Sequence, residues 1–152
     1  MDNLYIISFF VTHEILHLLI GLLVGVLALF LFKKKKLILL SLIVTFGIDL
    51  DHLVDYFHYF GLNFQDPIAG PDFFCLSGKL FIPLHAWELI PLLIILSFVF
   101  KNKKVIFLSV VLALLGHYLL DQFSNGMCPF GYSLIYRFLN NFDINIVSFG
   151  CK

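Results

Sequence analysis

Charge is scarce in this chain. Lysine, arginine, aspartate and glutamate together make up 13% of its 152 residues, against 61% that are hydrophobic. That balance is far from the soluble average, and a water-soluble fold could not hide so much apolar surface. Arginine is almost missing, with Arg137 the single example. Internal repeats and low-complexity linkers are absent, so the length reads as one domain over 1–152. The formal net charge is zero, so the total says nothing about partners, and no nucleic acid is expected.

What fills the sequence is long apolar runs. Four stretches, 4–32, 37–62, 81–100 and 105–123, approach or exceed the roughly 20 helical residues that cross a hydrocarbon core. The expected fold is an all-α membrane protein: a four-transmembrane-helix bundle with an outer-face loop and an interfacial C-terminal segment at 127–152. The first stretch is read as a retained span and not a secretory signal, because no basic residue precedes it and no small-residue cleavage site follows it before Lys33. Seven of the ten basic residues fall in the loops at 33–36 and 101–104, which places those loops in the cytoplasm. Both termini and the 63–79 connection then face the other side of the cell membrane. Cys75, Cys128 and Cys151 all fall on that side, where a Cys75–Cys128 disulfide is permitted but not specified.

Histidines and carboxylates are missing from the cytoplasmic halves of the spans. None occurs between Leu18 and Ile48, or between Leu89 and Gly116. Thirteen residues separate Lys36 from Asp49, Glu88 from Lys101, and Lys104 from His117, and sixteen separate His17 from Lys33 and His85 from Lys101. At about 1.5 Å per helical residue these groups lie in one layer roughly 20–25 Å from the lysine face. An unpaired charge at that depth costs several kcal/mol. No lysine or arginine lies in these spans, which leaves protons, histidinium or a metal ion to balance the carboxylates.

Each helix brings a pair to this layer. His13 and His17 are four residues apart on one face; Asp49 and His52 share a face; His85 and Glu88 are three apart; His117 and Asp121 are four apart. Any one pair is as readily a structural hydrogen-bonding group as a ligand set. Four at one depth favour a metal centre, with ligands drawn from His13, His17, Asp49, Asp51, His52, His85, Glu88, His117 and Asp121. Asp51 can ligate, bridge, or orient a histidine. Asp55 and His58 read as solvated interfacial residues, Trp87 as a belt residue, and Pro83 as a helix start. Arg137 is read as an interfacial anchor or a contact for a lipid phosphate. Nitrogen and oxygen ligands without thiolate point first to zinc, then to manganese or iron, and the number of candidates points to two or more ions.

Thr12-His13, Asp49-Leu50-Asp51-His52, His85 and Gly116-His117 with Asp121, followed by Gly126, together resemble the LexA-regulated, membrane-bound metal-dependent hydrolases. That family is itself distantly similar to zinc-dependent phospholipase C. The sequence departs from the family pattern at Ile48, where proline is usual, and in lacking a histidine shortly before His85. The resemblance implies metal-dependent hydrolysis of a phosphoester, with a membrane lipid or lipid-linked molecule as substrate and a metal-activated water as nucleophile. Asp49 or Asp51 is the expected general base. The alternatives are a cation or proton transporter, or ion-binding membrane protein, using the same layer, and a haem carrier with paired histidines as axial ligands. The absence of polar residues beyond mid-membrane weighs against transport, and the many carboxylates weigh against haem. The oligomeric state is not legible.

Overall fold

In the computed structural model the chain is helical, and the structure describes residues 3–62 and 72–148. Helix α1 runs Asn3–Phe32 and ends where Lys33 turns into a left-handed conformation (φ 57°), its N–H reaching back to the Leu29 carbonyl. Helix α2 (Lys36–Gly47) passes through a 3-10 turn, Ile48–Asp51, into α3 (His52–Phe60). Helix α4 (Asp72–Ser77) is short; α5 spans Leu89–Val99 and α6 Lys104–Ser124; α7 (Leu134–Leu139) and α8 (Ile144–Val147) close the described chain. Three segments, Val11–Phe32, Lys36–Phe60 and Lys101–Ser124, are long and apolar enough to cross a membrane. Hydroxyls inside them fold back on their own helices, as Thr45 does onto the Ser41 carbonyl and Ser109 onto that of Val105.

Helices α1, α2 and α6 pack against one another, and α5 packs on α6. Small residues permit the close approach that apolar helices need when hydrophobic burial no longer drives them together. A Cβ at Gly25 would stand 2.8 Å from the Ile38 backbone, and one at Gly116 would stand 2.9 Å from Ile20 and 3.0 Å from Val24. Gly116 immediately precedes His117, so this contact sets how near α1 comes to the histidine of α6.

The segment 81–100 is not one helix. Only Leu89–Val99 is helical, 11 residues or about 16 Å, roughly half a hydrocarbon core. Residues 78–88 are irregular because side chains from other elements satisfy their backbone in place of a helical ladder. Asp55 accepts the N–H groups of Phe81 (2.6 Å) and Ile82 (2.9 Å), and Asp51 those of Leu84 (2.7 Å) and His85 (3.1 Å). The N–H groups of Leu80, Ala86 and Trp87 go to the Phe142 carbonyl, the Tyr118 hydroxyl and the Tyr132 carbonyl. Arg137 donates to the carbonyls of Phe81 (2.6 Å), Ile82 (3.1 Å) and His85 (2.7 Å), and Tyr118 donates to that of Leu84. Buried non-helical backbone persists only when its polar groups are satisfied in this way. The same clamps hold Ile82 at φ 25°, a conformation that a β-branched residue avoids.

Two expectations are corrected here. Asp55 is not a solvated interfacial residue; it is 1% exposed and fully engaged with Phe81 and Ile82. The 127–148 region does not simply lie along a surface. Met127, Cys128, Tyr132, Ile144 and Val147 pack with Leu80 and Ile82 into a small core that caps the irregular segment, while Ile135, Phe138 and Leu139 stay exposed. Isolated antiparallel bridges, Lys79 with Asp143 and Met127 with Ser148, tie this cap together. Cys128 is a buried free thiol within it and Cys75 is disulfide-bonded, so the Cys75–Cys128 bridge does not form. Most of the 63–79 connection lies outside the described residues.

Replacing Arg137 by Met should therefore destabilise the protein by about 3–5 kcal/mol, since breaking a buried charged network strands its partners. Lysine, with one compact ammonium, should recover little of it. Phe138→Ser, an exposed neighbour, should cost under about 1 kcal/mol. Thermal unfolding in detergent checks this, and equal stability of R137M and F138S would refute it.

Candidate metal centre

The fold delivers imidazoles and carboxylates from four places: His13 and His17 from α1, Asp49, Asp51 and His52 from the 3-10 turn and the start of α3, His85 from the irregular segment, and His117 and Asp121 from α6. The 3-10 turn falls within an otherwise continuous span. Three residues per turn there keep Asp49 and His52 in line and move Asp51 round toward His85.

Of the three groups of ligand atoms close enough to hold an ion, one is Asp51 with His52 and His85, and the other two share Asp121. In one, His85 Nε2 and His117 Nε2 are 2.9 Å apart, Asp49 Oδ1 is 3.3 Å from each, and Asp121 Oδ2 is 3.2 Å and 3.1 Å from them. In the other, His13 Nε2 and His17 Nε2 are 2.9 Å apart, with Asp121 Oδ1 at 3.3 Å and 3.0 Å. A tetrahedron with edges of this length has its centre about 1.9 Å from each vertex, close to the roughly 2.0–2.2 Å of zinc–imidazole and zinc–carboxylate bonds. His17, His85, His117 and Asp121 are at most 1% exposed, whereas His13 (16%) and Asp49 (23%) form the accessible rim.

Comparison with protein-family models, curated proteins and solved structures finds no match.

Hydrogen bonding alone accounts poorly for these contacts. Asp51 accepts from His85 Nδ1 at 3.0 Å, which fixes the tautomer and leaves the His85 Nε2 lone pair pointing at the cluster. His117 Nε2 faces that lone pair, and its own buried Nδ1 has no hydrogen-bond partner among the described residues. Protonating both rings would set two cations 2.9 Å apart. Asp121 Oδ1 is buried beside two imidazole nitrogens, yet among the described residues no donor points at it with hydrogen-bond geometry. Nitrogen and oxygen lone pairs converging on common points at these spacings fit divalent cations.

The remaining candidates stand further out. Asp51 faces His85 and its backbone, an orienting role. The His52 ring stacks on that of His85 (centroids 5.0 Å, 18°), with its Nε2 4.0 Å from Asp51. Glu88 is engaged elsewhere: it accepts from Ser133 Oγ and from the N–H groups of Leu134 and Ile135, capping α7. Hydrogen bonds at this exposed helix start explain why it, unlike Asp49, turns outward from the shared depth. Arg137 is fully buried, and its guanidinium is occupied by backbone carbonyls, which leaves no donor arranged for a lipid phosphate. Burial draws its pKa below the ordinary arginine value, and Asp51 and Asp55 oppose the shift.

Sequence reasoning missed three residues that build the site indirectly: Asp55, Tyr118 and Arg137. A single arginine in so apolar a chain was the available signal. It also missed the lateral groove between α1 and α2, lined by Val11, Glu14, Ile15, Leu18 and Phe46. Glu14 lies within electrostatic reach of Asp49, His13, His17 and His117, which connects the groove to the rim of the centre.

Asp51→Asn preserves shape but presents an amide where His85 needs an acceptor. It should weaken zinc binding 10- to 100-fold, the usual cost of losing such a partner, as read by competition with a chromogenic chelator. Unchanged affinity would remove Asp51 from its orienting role.

Proposed function

We propose that the protein is a membrane-embedded, metal-dependent hydrolase that cleaves a phosphoester of a lipid or lipid-linked substrate. The observation that carries this reading is the pair of nitrogen–oxygen ligand sets joined through Asp121. Paired divalent ions, zinc first by ligand type, would activate water and neutralise the charge that develops on phosphoryl oxygens. The resemblance to metal-dependent membrane hydrolases through Asp49-Leu50-Asp51-His52 and His117 with Asp121 points the same way.

The chain's own residues take distinct parts. His13, His17, His85, His117, Asp49 and Asp121 hold the ions. Asp51 keeps the His85 tautomer, and Asp55, Tyr118 and Arg137 hold the loop that carries it. Of the two aspartates considered as general base, Asp49 is the better placed. It sits on the accessible rim, and its Oδ2 has no hydrogen-bond partner among the described residues. Asp51 already spends its oxygens on the His85 segment.

Access for a lipid is supported by the groove between α1 and α2, whose walls belong to two membrane-crossing segments. In the membrane, α5 and the irregular segment before it together make the fourth crossing, the lysine loops face the cytoplasm, and the centre lies toward the opposite face. The disulfide at Cys75 supports that orientation, since such bonds persist in oxidising compartments.

Purified protein should carry zinc or another divalent ion and should release a phosphorylated headgroup, or its counterpart, from phospholipid or lipid-diphosphate vesicles. Chelation should abolish turnover, and restoring the ion should recover it. Asp49→Asn should lower kcat by at least about 100-fold, in the range of lost acid–base groups. Bound metal without turnover on any such lipid would refute the hydrolase and leave ion binding or transport.

A further inference from the structure

The two ligand groups that share Asp121 are alike in spacing but not in completeness. The group at His85 and His117 offers four ligand atoms, with Asp49 and Asp121 supplying the carboxylates, and all five of its imidazole-containing edges lie between 2.9 and 3.3 Å. The group on α1 offers three atoms, His13 Nε2, His17 Nε2 and Asp121 Oδ1, whose edges of 2.9, 3.3 and 3.0 Å describe one face of a similar tetrahedron. Among the described residues no further histidine, cysteine, aspartate or glutamate atom joins that face.

The surroundings differ in the same sense. In the four-atom group His85 is locked by Asp51 through its Nδ1, and both imidazoles are fully buried. In the three-atom group Nδ1 of His17 is buried with no hydrogen-bond partner among the described residues, as is that of His117 in the other group, but His13 is partly exposed, on the helix that forms one wall of the lateral groove. Ions held by a complete protein tetrahedron are structural in character, whereas those with three protein ligands keep a position for water or substrate. Support for a ligating imidazole through its other nitrogen raises affinity.

We infer that the centre is a pair of unequal metal sites bridged by Asp121: a closed, tight site at Asp49, His85, His117 and Asp121, and an open, exchangeable site at His13, His17 and Asp121 that takes the phosphoryl oxygen of the substrate. The inference rests on reading the cluster as a metal centre, and it adds which half does which task. His13 and His17 are then the residues whose ion meets substrate. The other half fixes Asp121, so that its Oδ1 faces α1, and holds Asp49 by Oδ1 while its Oδ2 stays available for the base role.

The test uses the full-length protein in detergent, stripped of metal and titrated with cobalt(II), with bound cobalt measured by elemental analysis and its ligand-field absorption followed. Wild type should take up two ions whose dissociation constants differ at least tenfold. His17→Gln, which preserves side-chain bulk, should keep one ion with the tight constant unchanged within about threefold. Asp51→Asn should weaken the tight step selectively. Inorganic phosphate should perturb the absorption only after the second equivalent is bound, and not at all in H17Q. Helical circular dichroism and a monodisperse elution profile establish that each variant is folded; should H17Q fail them, His13→Gln replaces it with the same expectation. The inference is overturned if wild type binds one ion, if the two constants coincide, if the substituted protein loses both ions or neither, or if phosphate acts on the first cobalt. A wild-type protein that binds no ion overturns the metal-centre reading as well.

Discussion

The structure depends on satisfying the backbone of a non-helical segment that sits where a helix would have been self-sufficient. Residues 78–88 give up the intrahelical ladder, and every N–H from Leu80 to Trp87, Pro83 excepted, is met by a group from elsewhere in the chain. Asp51 and Asp55 serve the donors; Arg137 and Tyr118 serve the acceptors. Away from water each unmet group would cost on the order of 1–3 kcal/mol, so these clamps are needed together. Their product is the position of His85. A straight helix over 81–100 would have kept its ladder, but it would have left Asp51 and Asp55 with two buried carboxylates and no donors.

The same carboxylates link fold to chemistry. Asp51 receives backbone N–H groups on one side and the His85 ring on the other, so the element that stabilises the loop also sets the tautomer of a candidate ligand. Asp121 has a parallel double role, each oxygen turned to a different pair of imidazoles. Small-residue packing at Gly25 and Gly116 brings the backbones close enough for these side chains to meet. Within the spans the histidines and carboxylates are thus kept to the ends away from the lysine loops.

Much of this was legible in the sequence. Spacing from the lysine loops placed histidines and carboxylates at one depth, and i, i+4 spacing put His13 with His17 and His117 with Asp121, as the structure does. The ends of α1, of the α2–α3 rod and of α6 fall within a residue or two of the apolar runs. The third apolar run misled, because hydropathy does not report conformation: 81–88 is largely apolar and is held as a partly buried loop. Asp55 was invisible for the same reason, since its partners are backbone groups that carry no sequence signature. Glu88 shared the right depth and spacing but had a helix N-terminus, that of α7, within reach. Arg137 lies far along the chain from the carbonyls it holds, a non-local pairing that no local pattern reveals.

The central claim is that the converging imidazole and carboxylate atoms surround divalent ions and are not a proton-shared network. X-ray absorption at the zinc edge of loaded protein tests it most directly. The account predicts a shell of nitrogen and oxygen neighbours at about 2.0–2.1 Å with the outer-shell pattern of coordinated imidazole and no sulfur. A shell of water oxygens without imidazole scattering, or sulfur near 2.3 Å, would contradict it.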